Sequence, residues 1–109
     1  MTREIPNAVN EPGLRKLLAK GWHLVIVCHE TPDYRDRQCY GDWVMRVARP
    51  DGAEEWPLAL SRPPHDERRF STLNTVVKFL DKYGFATPQI PLRAGARVVN
   101  SPPAEWVRD

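Results

Sequence analysis

The sequence predicts an α+β domain: a three-stranded antiparallel sheet, or a four-stranded one, with a helix packed on one face, in the order α-β-β-β-α and an optional closing β. Three observations carry this. Trp22 to Cys28 is an unbroken apolar, β-branched run. Tyr40 to Leu60 reads strand, turn, strand around Pro50-Asp51-Gly52. Ser71 to Tyr83 switches to the helical period and meets Gly84.

Residues 1–10 show no periodicity and read as a flexible arm. Glu11-Pro12-Gly13 opens a short helix over Leu14 to Lys20, since proline is accepted in the first turn, where its missing N–H costs no hydrogen bond. Leu14, Leu17 and Leu18 form one apolar stripe, and Gly21 can end the helix at positive φ. In the strand from Trp22 to Cys28, Leu24 and Ile26 face one side and Val25 and Val27 the other, the pattern of a strand covered on both faces. His29 to Gly41 holds Pro32 and five charged residues and reads as a long polar connection.

The second strand, about Asp42 to Arg49, puts Trp43, Met45 and Val47 on one face. Pro50 presets its φ and Gly52 supplies a positive φ for the turn. In the third strand Glu54, Trp56, Leu58 and Leu60 share a face. Pro57 cannot donate a ladder hydrogen bond, which places this strand at an edge. Residues 62–69 read as a solvated basic loop, and Ser71 as the N-cap of the next helix. Leu73, Val76, Val77, Leu80 and Tyr83 form its apolar stripe, widened by Phe79, with Asn74, Lys78, Asp81 and Lys82 on the wet face. Val77→Asp and Leu80→Asp are thus both expected to unfold the domain. A short fourth strand falls near Gln89 to Leu92, so the folded domain spans 11–93 and residues 94–109 read as a proline-containing tail. No internal repeat is visible.

A chain of 109 residues, 41% hydrophobic and 28% charged, suits one soluble domain with a single core. Cys28 and Cys39 do not make a disulfide framework. There is no signal-peptide pattern and no apolar run of about 18 residues, so a reducing cytosol is expected, with no membrane contact.

The net charge of +2 does not by itself demand a polyanionic partner. Its distribution is more informative: Ser61 to Arg97 holds seven cations and three anions. Arginine supplies twelve of the sixteen basic residues; its forked guanidinium suits phosphate, although a GC-rich genome would favour arginine equally. Arg68-Arg69 stands just before a helix N-terminus, where cations and free N–H groups together favour an anion. Arg62, Arg68, Arg69, Lys78 and Lys82 are the expected nucleic-acid contacts.

No catalytic residue, metal or cofactor is expected, nor a small-molecule substrate. Cys28-His29, Cys39 and His65 lack the short ligand pairs of a zinc site, and neighbours in a strand point to opposite faces. Cys28 ends an apolar run and reads as a buried hydrophobe. Cys39, near Arg35 and Arg37, is the better nucleophile candidate, but a bystander thiol is the preferred reading. His65-Asp66-Glu67 reads as solvated charge. Trp22, Trp43 and Trp56 fit the core or a sheet face. Trp106, beside Val107 in the tail, either docks back on the domain or serves as a partner-binding motif.

Three resemblances bear on function. The order α-β-β-β-α is similar to double-stranded-RNA-binding domains, although Ser71-Thr72-Leu73-Asn74 stands where that family carries lysines, which argues against RNA. Trp43 to Leu80 is similar to the small three-stranded DNA-binding domains of integrases and to strand-rich single-strand binders. Trp22-His23-Leu24, Cys28-His29-Glu30, Cys39-Tyr40-Gly41-Asp42-Trp43-Val44 and Phe70-Ser71-Thr72-Leu73 down to Tyr83-Gly84-Phe85 resemble small plasmid-encoded, ParC-type partition-associated proteins. That resemblance covers about Leu17 to Leu92. It implies an accessory protein of a mobile element that acts on DNA or on a DNA-bound partner, and it supplies no site residue.

The expected function is therefore non-enzymatic binding of nucleic acid, or of a DNA-bound protein, through a basic face. The rival is a protein-interaction module or small inhibitor acting through a sheet edge or the C-terminal tail. One helix covers one sheet face, so the short first helix is expected to cover the other. That helix is short, so apolar sheet area stays exposed, and a symmetric homodimer with the uncovered face or a sheet edge as its contact is expected.

Overall fold

The computed structural model describes residues 8–60 and 66–106, so Arg62 and His65 lie outside the described residues. Helix α1 spans Glu11–Ala19, with the Asn10 side chain accepting the Gly13 N–H at 3.0 Å as its N-cap. It ends before Gly21, whose φ of +91° only glycine takes without strain.

Strands β1 (His23–Arg35) and β2 (Gln38–Ala48) form one long antiparallel hairpin. The stretch expected to be a polar loop, His29 to Gly41, is the far half of this hairpin. Arg35 pairs with Gln38 across a two-residue turn in which Asp36 and Arg37 both have positive φ, 50° and 66°. Such turns suit the twist of paired strands but are normally marked by Asn or Gly, so the turn carried no sequence signal. Register shifts between Cys28 and Asp33 bend β1 there and break its alternation.

Strand β3 (Glu55–Pro57) lies at the edge, as Pro57 requires, and pairs with Arg46 to Ala48 of β2. Strand β4 (Arg69–Thr72) pairs with the Tyr40 to Val44 half of β2. Helix α2 (Leu73–Lys82) follows directly. Its N-cap is Thr72, not Ser71: the Thr72 hydroxyl accepts the Thr75 N–H at 3.3 Å. Strand β5 (Arg97–Asn100) pairs antiparallel with Leu24 to Val27 of β1. The sheet is five-stranded, in the order β3-β2-β1-β5, with β4 also on β2. The α+β class and the helix on one sheet face stand as expected. The strand count is larger, and β4 and β5 break the α-β-β-β-α order behind the likeness to RNA-binding domains.

The domain limits move outward. Gln89 to Leu92 forms no strand; its backbone is held by side chains, with Trp43 Nε1 donating to Pro91 O at 2.9 Å and Asn100 bonding both backbone groups of Gln89. The closing strand comes from the expected tail. At the other end Val9 is buried, donating to Pro57 O and accepting from Ala59 N. Trp106 docks: its indole N–H donates to Tyr83 O at 2.7 Å and its ring packs against Tyr83. Of the two readings of Trp106, the structure has the docked one.

The core lies between one sheet face and the two helices. Leu24, Ile26, Trp43, Met45 and Val47 meet Leu14, Leu17 and Leu18 of α1 and Val76, Phe79 and Leu80 of α2. Helix α1 thus shares a face with α2 and does not cover the second face. Val77 is also corrected: it is 48% exposed. The buried stripe runs through Val76, Phe79, Leu80 and Tyr83, which leaves Val77 on its flank.

On the second face, Glu55 accepts from Arg46 (3.2 Å) and from Arg97 (2.5 Å), and Arg46 also lies near Glu67 (3.7 Å). The burial of Glu55 opposes its ionisation, but hydrogen bonds from Arg97 and Arg46 outweigh this and hold its carboxyl below the usual range. Val25 and Val44 share this face and are fully buried. The charged cluster covers part of the apolar area expected to drive a homodimer, while Val99, paired with Val25 on this face, is 51% exposed.

Candidate nucleic-acid interface

The periodicity that buries Val76, Phe79, Leu80 and Tyr83 places Thr75, Lys78 and Lys82 at i, i+3 and i+7 on one flank of α2. That flank faces β4. In β4 Phe70 points into the core, and Arg69 and Ser71 stay exposed. An open groove of about 350 Å³ lies between the two elements, lined by Arg68, Arg69, Phe70, Ser71, Thr75, Lys78, Phe79 and Lys82. It brings together four of the five expected contacts. The fifth, Arg62, lies outside the described residues.

Phe70 and Phe79 meet edge to face with ring centroids 5.3 Å apart. The Arg68 guanidinium sits over both, 5.0 and 5.4 Å from their centroids, so its position is set by the aromatic floor. Strand β4 separates Arg68 from the helix start, and the Thr75 N–H already bonds Thr72.

Two carboxylates sit among the cations. Asp42 pairs with Arg69. Glu11 pairs with Lys82 at 2.7 Å and Arg68 at 3.0 Å, and the Tyr83 hydroxyl donates to it at 2.6 Å. Lys78 is exposed and has no ion-pair partner among the described residues. Four cations against two carboxylates leave the groove net positive.

The electrostatics of Glu11 follow from its donors. Hydrogen bonds from Lys82, then Tyr83, and then Arg68, acting against partial burial, hold its carboxyl down at about 2. Burial first, and then the hydrogen bond to Glu11, push the Tyr83 phenol up to about 12. Because the folded form binds the Glu11 proton more weakly than the unfolded chain, this contact stabilises fully above about pH 4.5 and is lost as pH falls toward 2. After solvent screening the effect is about 1–2 kcal/mol. Urea unfolding midpoints of wild type and Glu11→Gln should therefore differ at pH 6 and converge progressively as pH falls from about 4.5 toward 2. A constant difference across that range would contradict this account.

Sequence reasoning missed Glu11, Asp42 and Tyr83. Glu11 read as a helix opener and Tyr83 as part of an apolar stripe, and nothing local links Glu11 to Lys82 across 71 residues. Cys28 is fully buried, and burial pushes its thiol up, whereas Cys39 is 9% exposed and lines an open groove at the hairpin end. No group of three or more His, Cys, Asp or Glu among the described residues is placed to hold a metal ion. No described helix is long and apolar enough to cross a membrane.

No protein-family model matches the chain, and neither does any curated protein or solved structure.

Proposed function

We propose that this protein binds nucleic acid, without catalysis, by seating backbone phosphates along the groove between β4 and α2. The accessory role on a plasmid or other mobile element that the ParC-type resemblance implies is the setting for this activity. One observation carries the reading: Arg68, just before β4, Arg69 of β4, and Lys78 and Lys82 of α2 line a single groove. Phosphate contacts of this kind give affinity and register but little sequence choice.

The test is salt dependence. With four phosphates neutralised, log affinity for a labelled duplex should fall against log salt with a slope of about −3 to −4. Arg69→Ala with Lys78→Ala should flatten the slope by about two. No shift of duplex or single strand at low salt would remove the reading.

A second reading rests on a different surface. Tyr34 at the hairpin end is 73% exposed and lies with Val77 along an open groove that also includes Leu73 and Cys39. Exposed aromatic and apolar groups beside a groove suit a protein partner. A partner retained by Arg69→Ala/Lys78→Ala but lost on Tyr34→Ala/Val77→Ser would favour it.

A further inference from the structure

Glu11 fills one end of the basic groove. Its Oε1 accepts from Lys82 Nζ and the Tyr83 hydroxyl, and its Oε2 from Arg68 Nη1. Two cations and a phenol converging on one oxyanion are also the donors that take the non-bridging oxygens of a phosphate. Two of these donors, Arg68 and Tyr83, have placements that do not depend on Glu11, whereas Lys82 is exposed and reaches Glu11 from the end of α2. Arg68 rests on the Phe70 and Phe79 rings, and Tyr83 is buried against Phe79 and Trp106. The cradle is built by Arg68 just before β4 and by Lys82 and Tyr83 at the C-terminal end of α2, while its occupant comes from α1, far away in sequence.

We propose that Arg68, Lys82 and Tyr83 form a phosphate cradle that Glu11 occupies in the unbound protein, so that nucleic acid binds by exchanging this carboxylate for a backbone phosphate. The proposal rests on the nucleic-acid reading above. It divides the cations of the groove into two classes. Arg69 and Lys78 meet phosphate without moving Glu11, whereas Arg68 and Lys82 do so only after Glu11 leaves. Removing the Glu11 charge then raises affinity. A merely structural contact would have the opposite sign, because losing it would loosen the groove.

The experiment compares wild type and Glu11→Gln with two probes, a labelled 20-base-pair duplex and inorganic tripolyphosphate. Glu11→Gln should bind both about 10-fold tighter at moderate salt. Its salt slope on the duplex should stay close to that of the wild type, because both end with the same phosphates neutralised. In the wild type, the Glu11 carboxyl carbon resonance should move on saturation with tripolyphosphate, and that of Asp51, in the turn between β2 and β3, should not. Equal or weaker tripolyphosphate binding by Glu11→Gln overturns the proposal, as does an unmoved Glu11 resonance or no tripolyphosphate binding by either protein. If the variant does not fold, the wild-type resonance decides alone. Tighter tripolyphosphate binding without duplex binding keeps the cradle and removes the nucleic-acid reading. Duplex binding with unchanged affinity in Glu11→Gln keeps that reading and removes the cradle.

Discussion

Leu80→Asp should unfold the domain, and Val77→Asp, three residues away on the same helix, should not. Leu80 is 1% exposed and packs among Val76, Phe79 and the sheet face. A carboxylate there has no cation to meet, so it either ionises in an apolar site or takes up a proton at a cost in free energy. Added to the lost packing, this amounts to about 4 kcal/mol or more. A domain of this size holds on the order of 5–15 kcal/mol in total, so the change consumes much of its stability. Val77 is 48% exposed, and its aspartate would be solvated, which keeps the change within about 1 kcal/mol. Lys78→Ala should shift stability by no more than about 0.5 kcal/mol. Circular dichroism through a urea titration separates the three. Equal losses for Leu80→Asp and Val77→Asp would mean that the helix is rotated from the phase described.

Trp43→Ala should be the most damaging truncation. The ring is fully buried at the centre of the sheet face. It is also enclosed from below: a Cβ placed on Gly41 would stand 2.7 Å from its Cη2. Removing a ring this tightly enclosed leaves a cavity and costs about 3–5 kcal/mol. It also breaks the 2.9 Å hydrogen bond from the indole N–H to Pro91 O, leaving that carbonyl without its donor for about 1 kcal/mol more. Trp43→Phe isolates the second effect, since it keeps most of the packing and loses the donor. It should cost less than the alanine variant and should loosen residues 88–92 selectively, read as faster amide exchange in that segment. If Trp43→Phe leaves exchange there unchanged, the Pro91 contact does not hold the segment.

Several elements were determined by the sequence alone, each for a local reason. The leucine spacing in α1, the β-branched run of β1, the alternation of Trp43, Met45 and Val47, and the helical period after Phe70 are properties of neighbouring residues. Period and propensity read them directly. The edge position of β3 followed from the missing N–H of Pro57. The basic residues of the groove were legible as a charge excess, because charge is countable without coordinates.

The rest depended on contacts between distant residues. The hairpin turn at Asp36-Arg37 takes positive φ at two residues that seldom do so, and the long pairing of β1 with β2 is what holds it there. Strand β5 is four residues of ordinary composition that become a strand only because β1 offers an edge to pair with. Val77 fits the stripe by spacing, and only the docking of α2 shows which flank meets the sheet. The side of the sheet on which α1 packs, and the charged cover of the other face, are likewise set by which surfaces meet. Glu11 belongs here too. A carboxylate in the first turn of a helix has a local role, and only the tertiary structure carries it to Arg68, Lys82 and Tyr83, because an ion pair needs proximity in space and leaves no mark in the sequence around either partner.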